Sequence, residues 1–251
     1  MSESTRTPIN LVVLGAPGAG KGTQAVDFAQ RHGIPKISTG DILRDAVQSG
    51  SELGQRAKAT IEAGGLVDDQ LMIAIVRERL ARPDAAGGFV LDGFPRTVAQ
   101  ATALDEIMTG HGALTVVDIA VPDDALVERL ARRRVCGQCG TPVSVAASVA
   151  EVAIPRCEKC GGELVLRSDD TETVVRERLR VYAEATRPLV DYYSSRPTFR
   201  AIDGHQDQAA VSAALAAAVP PPPHSLAQLP RGDTSGRPTS LSLGCSPIEV
   251  P

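Results

Sequence analysis

The chain carries a glycine-rich segment, Gly15-Ala16-Pro17-Gly18-Ala19-Gly20-Lys21-Gly22-Thr23, between an apolar run (Ile9 to Leu14) and a segment with a helical pattern (Gln24 to Gln30). This order predicts a strand, a loop and a helix. Glycines let successive backbone N–H groups turn toward one point, and a helix N-terminus adds partial positive charge. The segment therefore predicts an anion-binding loop. The plainer alternative is a glycine-rich turn that binds nothing.

Lys21 indicates which anion this loop binds. Gly15, Gly20 and Lys21 have the GxxxxGK spacing, in which the lysine reaches the β- and γ-phosphates of a nucleotide. The strict motif continues with Ser or Thr, whereas here Gly22 follows the lysine and Thr23 comes one residue later. The spacing predicts a nucleotide phosphate site built on a variant of the general motif.

Length and composition are those of an ordinary globular protein. The 251 residues are 43% apolar, which suffices for one large domain or two small ones. A formal charge of −4 gives no global reason to expect nucleic acid or membrane partners, and no apolar run approaches the roughly 20 residues that span a bilayer. Met1 to Pro8 is polar and lacks the apolar core of a signal peptide, so we expect a cytoplasmic protein.

Short apolar runs alternate with helical patterns along the chain. Strands are predicted at Ile9 to Leu14, Ile34 to Ile37, Gly88 to Leu91, Leu114 to Val121 and Phe199 to Ile202. Helices are predicted at Asp41 to Gln48, Glu52 to Ala63, Asp69 to Ala81, Val98 to Met108, Asp123 to Arg134, Glu172 to Ala185 and Gln208 to Ala218. Apolar strands that alternate with helices are typical of a doubly wound α/β fold with a parallel sheet, here of five strands.

Two segments interrupt this alternation and are predicted to be inserts. Residues 38–67 are helical and lie between the second and third strands, and residues 134–169 hold cysteines and little helical pattern. The core is then formed by residues 9–37, 68–133 and 170–219. Residues 220–251 begin with four prolines, stay rich in Pro, Ser and Gly, and are predicted to be a disordered tail.

The third predicted strand leads into Asp92, and Gly93-Phe94-Pro95-Arg96 follows. Open α/β sheets bind ligands at the carboxyl ends of their strands, so Asp92 and Arg96 are expected near the glycine-rich loop. An acidic side chain there is placed to hold Mg²⁺, directly or through water. The alternative is a loop aspartate and a surface arginine without a ligand.

Three segments together resemble the adenylate kinase family: Gly15 to Thr23, Ser38-Thr39-Gly40-Asp41-Ile42-Leu43-Arg44, and Asp92-Gly93-Phe94-Pro95-Arg96-Thr97. Their order and intervals agree as well, and the resemblance extends from about Asn10 to Val219. It implies reversible phosphoryl transfer, ATP + AMP to two ADP with Mg²⁺, on a core with two mobile lids. It also implies a monomer, because one chain supplies both substrate sites.

The resemblance also implies the roles of individual residues. The ATP phosphates would be held by Gly18, Ala19, Gly20, Lys21, Gly22 and Thr23, while Arg129 stacks on the ATP adenine and Gln206 offers its backbone near that base. The AMP site would be formed by Thr39, Arg44, Gly65, Leu66, Val67, Gly93, Phe94, Pro95, Arg96, Gln100, Arg167 and Arg178. The catalytic side chains would be Lys21, Arg96, Arg133, Arg167 and Arg178, with Asp92 holding Mg²⁺ through water.

The arginines suit this chemistry on their own account. Phosphoryl transfer needs positioning and cancellation of charge on phosphate oxygens, and one guanidinium can bind two oxygens at once. Arg129 and Arg133 are four residues apart on a predicted helix, so both are expected on one face. Within the resemblance, Thr39 and Gln100 favour AMP over UMP or CMP as the acceptor.

Four of the five cysteines form two CxxC pairs, Cys136/Cys139 and Cys157/Cys160, while Cys245 lies in the predicted tail. Their spacing is typical of a four-thiolate Zn²⁺ site, which is structural because protein fills every position. The segment also resembles the zinc-bearing lid of many bacterial adenylate kinases. Two redox pairs are the alternative, and Fe²⁺ or Co²⁺ would suit the same ligands.

Two other functions remain open at this point. Thr141-Pro142-Val143 stands where the family often has an aromatic residue near the ATP base, which keeps a GTP-using monophosphate kinase as an alternative. A zinc-containing module that binds nucleotide or RNA without turnover is the other alternative. Such a module would need aromatic side chains for base stacking, and the chain has four Phe, three Tyr and no Trp.

Overall fold

A computed structural model describes residues 7–139, 141–144, 156–167 and 170–219. The predicted tail, residues 220–251 with Cys245, lies outside the described residues. Among the described residues, no helix is both long and apolar enough to cross a membrane.

The core is a parallel sheet of five strands: β1 (Ile9–Leu14), β2 (Lys36–Ser38), β3 (Gly88–Asp92), β4 (Leu114–Ala120) and β8 (Phe199–Asp203). The strand order is β2-β3-β1-β4-β8, and every neighbouring pair is parallel. The predicted fold class and sheet are therefore confirmed, with strand ends shifted by one or two residues.

Helices cover both faces of this sheet, so its central strand β1 is buried on both sides. Val12 and Leu14 pack into one hydrophobic cluster, whereas Leu11 and Val13 pack into a second cluster. Side chains of a strand alternate between its faces, so a continuous apolar run of this kind is what two covered faces require. The helices are α1 (Lys21–His32), α2 (Thr39–Gln48), α3 (Glu52–Glu62), α4 (Asp69–Leu80), α5 (Val98–Ile107), α6 (Asp123–Ala131), α7 (Glu172–Val181), α8 (Pro188–Ser194) and α9 (Gln208–Ala218).

A second sheet lies in the cysteine-containing segment and corrects one predicted helix. It is antiparallel, with β5 (Arg133–Cys136) between β6 (Pro142–Ser144) and β7 (Leu164–Val165). The helix predicted to run to Arg134 therefore ends at Ala131, and the prediction that Arg129 and Arg133 share a helix face is wrong. β5 pairs with β6, a few residues on, and with β7, much further along the chain, and the local helical pattern gave no sign of either pairing.

The helix predicted at Glu172 to Ala185 is also modified. After α7 the chain forms a π-helical turn, Tyr182–Thr186, in which the Arg187 N–H donates to the Tyr182 carbonyl at 2.8 Å. Pro188 then begins α8, which the sequence analysis did not predict. A π-helical turn inside a helical segment is uncommon and is often found beside functional sites.

Local capping explains where several helices begin. The Ser38 hydroxyl accepts from the Asp41 N–H at 3.2 Å, and Ser51 caps α3 in the same way. Helices α2 and α3 then pack closely through Gly54. A Cβ atom on Gly54 would lie 2.0 Å from the Ala46 carbonyl oxygen, so α3 lies directly against the backbone of α2.

We predict that Gly54→Ala lowers the free energy of unfolding by about 1–3 kcal/mol, because a backbone carbonyl cannot rotate away from the added methyl group. The measurement is thermal and urea unfolding. Gly87→Ala is the matched control, since its Cβ would meet nothing within 4 Å. Equal stability of the two variants would contradict the close packing of α2 on α3.

Candidate functional site

The glycine-rich loop connects the end of β1 to α1 through strained backbone that only glycine tolerates well. Gly15 has φ of 137°, and a Cβ there would lie 2.7 Å from the Ile119 carbonyl oxygen. Gly20, at φ of 93°, precedes α1 and offers no capping side chain to its first turn. Helix α1 begins at Lys21, three residues before the predicted start, so Lys21, Gly22 and Thr23 form its first turn. Their unpaired N–H groups make this turn an anion site.

Lys21 is buried at this loop. Its Nζ donates to the carbonyl oxygens of Gly15 at 2.8 Å and Ala16 at 2.9 Å. Burial lowers the pKa of Lys21 to about 8; Asp92 opposes this shift, whereas the charges of Arg96, Arg178 and Arg133 reinforce it. The lysine thus lies in an electropositive environment that a polyanion would stabilise.

Asp92 lies at the carboxyl end of β3, beside the loop. Its side chain is 13% exposed, and its Oδ2 is 3.8 Å from Lys36 Nζ. A Cβ on Gly22 would be 3.4 Å from the same oxygen, so the carboxylate faces the first turn of α1. This position and its oxygen ligands fit a hard divalent cation such as Mg²⁺.

A cleft of about 630 Å³ lies between the α2–α3 pair and the sheet. Most of the residues predicted for AMP line it: Thr39, Arg44, Gly65, Leu66, Val67, Gly93, Arg96, Gln100 and Arg178. The Thr39 hydroxyl donates to the Gly93 carbonyl at 2.8 Å, and Arg44 pairs with Asp41. The cleft combines an apolar wall with cationic groups at one end, which suits a nucleoside monophosphate.

A second cleft, of about 530 Å³, lies over the glycine-rich loop. Gly15, Pro17, Lys21 and Pro95 line it, together with Tyr182 and Thr186 of the π-helical turn. The two clefts share Gly64, Leu66, Gly93, Arg96 and Arg178. Two cationic side chains therefore stand where the clefts meet.

Other predicted residues lie around these clefts. Phe94 is buried in the core beneath them. Arg129 lies on α6, where its Nη2 donates to the Gly204 carbonyl at 2.9 Å. That contact places it beside the exposed turn that contains Gln206, so these two predicted base-site residues lie close together.

The sequence analysis missed Asp170, which organises the predicted catalytic arginines. Its side chain is fully buried. Arg133 binds both of its oxygens, with Nε to Oδ2 at 2.6 Å, and Arg178 Nη1 donates to Oδ1 at 2.9 Å. The backbone carbonyl of Arg167 accepts from the Asp170 N–H at 3.1 Å. Two of the predicted catalytic arginines thus bind one carboxylate, and the backbone of the third contacts the same residue. An acidic residue three positions after Arg167 was the available signal.

Thr186 was missed as well, and it supports Arg96. Its hydroxyl donates to the Arg96 carbonyl at 2.9 Å, while Arg96 Nε donates to the Gly93 carbonyl at 2.9 Å. The π-helical turn brings Thr186 and Tyr182 to the loop cleft. No local sequence pattern marks such a turn, so this contact was not predictable.

The four cysteines of the CxxC pairs lie together, as predicted. Their sulfur atoms are all within 4.8 Å of one another, with Cys136 to Cys160 at 3.4 Å and Cys139 to Cys157 at 3.6 Å. A tetrahedral metal with bonds of about 2.3 Å requires sulfurs about 3.8 Å apart, so the group fits one metal ion. Hydrogen bonds from Thr141 lower the pKa of Cys139 to about 6, which favours a thiolate.

Comparison with known proteins agrees with this geometry. The adenylate kinase family profile matches residues 13–198. A protein named adenylate kinase from Moorella thermoacetica is 51% identical over 214 residues, which is 84% of this chain and 98% of that protein. The adenylate kinase of Archaeoglobus fulgidus is 48% identical over 79% of this chain and 92% of its own length. The adenylate kinase of Desulfitobacterium hafniense is 51% identical over 80% of this chain and 93% of its own length.

We predict that Asp170→Asn lowers the free energy of unfolding by up to about 3 kcal/mol, because it removes the negative charge that two largely buried guanidinium groups bind. Calorimetric unfolding measures this change. Asp84→Asn is the matched control, since Asp84 pairs with Arg79 at the surface and should matter much less. If both variants lose the same small amount, Asp170 does not hold the arginines.

Proposed function

Because the chain belongs to the adenylate kinase family, we propose that it transfers the γ-phosphoryl group of ATP, bound with Mg²⁺, reversibly to AMP to give two ADP. The chain is a nucleoside monophosphate kinase, a phosphotransferase with adenylate kinase function. The assignment of substrates to clefts and of roles to residues is our proposal.

The junction of the two clefts supports this assignment most directly. ATP would occupy the cleft over the glycine-rich loop, and AMP would occupy the cleft beside α2 and α3. Arg96 and Arg178 line both clefts, and Lys21 lines the cleft over the glycine-rich loop. The acceptor phosphate and the transferred phosphoryl group would therefore meet among cationic side chains. Such groups stabilise charge on phosphate oxygens and hold the reacting atoms in line.

The chain's own residues perform the reaction by binding and orienting the phosphates. Lys21 exchanges its two carbonyl acceptors for phosphate oxygens, which hold more negative charge. Asp170 orients Arg133 and Arg178 beforehand, so these side chains lose little conformational entropy when they bind phosphate. Arg167, which lies shortly before Asp170 in the chain, adds a further cation. No side chain has to form a covalent intermediate, which agrees with an arginine-rich site.

Mg²⁺ would be held at Asp92, through water, and by the ATP phosphates. When bound, it neutralises phosphate charge and helps to orient the transferred group. The Asp92 carboxylate faces the first turn of α1, where those phosphates would lie. The backbone of Ala19, Gly20 and Gly22, and the backbone and hydroxyl of Thr23, would contact the ATP phosphates.

The cysteine group would hold Zn²⁺ as a structural ion, because four protein ligands leave no open position. Among the described residues of this segment, only Cys136, Cys157 and Leu164 form a buried cluster, so the metal would replace a hydrophobic core. We further propose that residues 38–67 and 134–169 move as two lids over the core. The protein would act as a cytoplasmic monomer on adenine nucleotides.

We predict that Lys21→Met reduces turnover by about 10²-fold or more, because the lost charge acts on the transferred phosphoryl group. The same lysine should couple ATP binding to pH. Bound phosphates favour its charged form, so its pKa rises above about 8 on binding. Above pH 8 the protein should take up a proton with ATP, and affinity should fall by at most about tenfold per pH unit.

Calorimetric titrations with ATP in buffers of different ionisation enthalpy measure this uptake. Lys58→Met is the matched control, since Lys58 is an exposed lysine on α3 near Glu62. It should keep both turnover and the proton uptake. Persistence of the uptake in Lys21→Met would show that another group titrates.

We predict that Cys157→Ser clearly lowers the bound zinc and the melting temperature, whereas the rate of the chemical step changes little. The lost thiolate opens the metal site, whereas Lys21, Arg96 and Arg178 of the phosphate site lie in other segments. Metal analysis, calorimetry and single-turnover kinetics test this, with Cys245→Ser as the control thiol. An unchanged melting temperature after both this substitution and a chelator would exclude a structural metal.

A further inference from the structure

We propose that Asp69 is a positioning residue for the cleft beside α2 and α3, which is here called the acceptor cleft. Asp69 fixes the side-chain amide of Gln100 and thereby selects a 6-aminopurine over a 6-oxopurine in this cleft. This inference rests on the proposed function, in which Gln100 faces the base of the nucleoside monophosphate. Asp69 is the first residue of α4, and Gln100 lies in the first turn of α5.

The Gln100 amide is held from both sides. Its Nε2 donates to Asp69 Oδ1 at 2.7 Å, and its Oε1 accepts from the Arg96 backbone N–H at 2.8 Å. Gln100 is only 2% exposed, yet it lines the acceptor cleft. Its amide is therefore a nearly buried group whose remaining hydrogen-bonding positions can serve only the cleft.

These two contacts permit a single orientation of the amide. A backbone N–H can only donate and a carboxylate can only accept, so the oxygen must face Arg96 and the nitrogen must face Asp69. Rotating the amide by 180° would oppose two donors on one side and two acceptors on the other. Both contacts would become repulsive in a buried place.

Asp69 is itself held in place. The Thr97 hydroxyl donates to its other oxygen, Oδ2, at 2.9 Å. The same hydroxyl accepts from the Gln100 N–H at 3.2 Å, where it caps α5. The N-terminus of α4 also favours a negative charge at this position. The carboxylate thus connects the starts of α4 and α5 and keeps its orientation without a ligand.

A fixed amide recognises one order of donor and acceptor on a purine. One N–H and one oxygen lone pair of Gln100 remain after the two contacts. Adenine presents a 6-amino donor beside the N1 acceptor, which an amide can bind through both atoms. Hypoxanthine presents the reverse, a 6-oxo acceptor beside the N1–H donor. With the monophosphate held by the arginines, only one of these orders can match.

The test compares AMP with IMP, which differs at these two ring positions alone. In Asp69→Ala, the ratio of kcat/KM for AMP to that for IMP should fall about tenfold or more, with the larger change in KM. Asp69→Asn should keep most of the ratio, because its amide oxygen can still accept from Gln100. Asp68→Ala is the matched control: Asp68 caps α4 through the Leu71 N–H at 3.0 Å and should lose stability while keeping the ratio.

Gln100→Leu separates this inference from the proposed function. If it leaves the ratio unchanged, Gln100 does not face the base and the proposed acceptor site is wrong. If it lowers the ratio while Asp69→Ala preserves it, the acceptor site stands and the role of Asp69 is refuted. An equal fall in the ratio for Asp68→Ala and Asp69→Ala would also refute that role.

A second measurement needs no variant. In the ligand-free protein, the Nε2 hydrogen of Gln100 that is bound to Asp69 should be shifted from its ordinary position in nuclear magnetic resonance and should exchange slowly with solvent. The positions and exchange rates of a solvent-exposed glutamine amide would overturn the proposal, even if Asp69→Ala fails to fold.

Discussion

Concentrated positive charge at the meeting point of two clefts is the constraint on which the site depends. Lys21 lies beside Arg96, Arg133 and Arg178, and its pKa is lowered first by burial and further by these three charges. The protein offsets the repulsion with carboxylates at Asp92 and Asp170. Phosphate groups would offset it further, because they bring several anionic oxygens to the same place. Substrate binding would therefore also neutralise the charge of the site.

The fold supports this arrangement by bringing several loops and strand ends to one edge of the parallel sheet. The loop after β1, the Asp92 end of β3 and the π-helical turn before α8 all reach the clefts from the parallel sheet or the helices on it. The antiparallel sheet brings Arg133 to Asp170 from outside the core. The cationic groups therefore come from separate segments, whose relative positions determine the charge at the junction.

Sequence patterns predicted the parts whose information is local. The apolar run of β1 and the paired cysteines each depend on residues a few positions apart, and the structure agrees with them. Arg133 was placed on a helix because the extended conformation of β5 depends on its pairing with β6 and β7, which the local helical pattern does not show. Asp170 and Asp69 were missed for a related reason: each acts through side chains on other elements. The roles of the site residues rested on the resemblance, and their chemistry remains a proposal.

The most direct measurement is formation of ADP from ATP, Mg²⁺ and a nucleoside monophosphate, with AMP, GMP, CMP and UMP offered separately as acceptors. We expect rapid turnover with AMP and little with the other three. Nucleotide binding by an intact protein without any ADP formation from AMP would contradict the assignment of the two clefts as donor and acceptor sites.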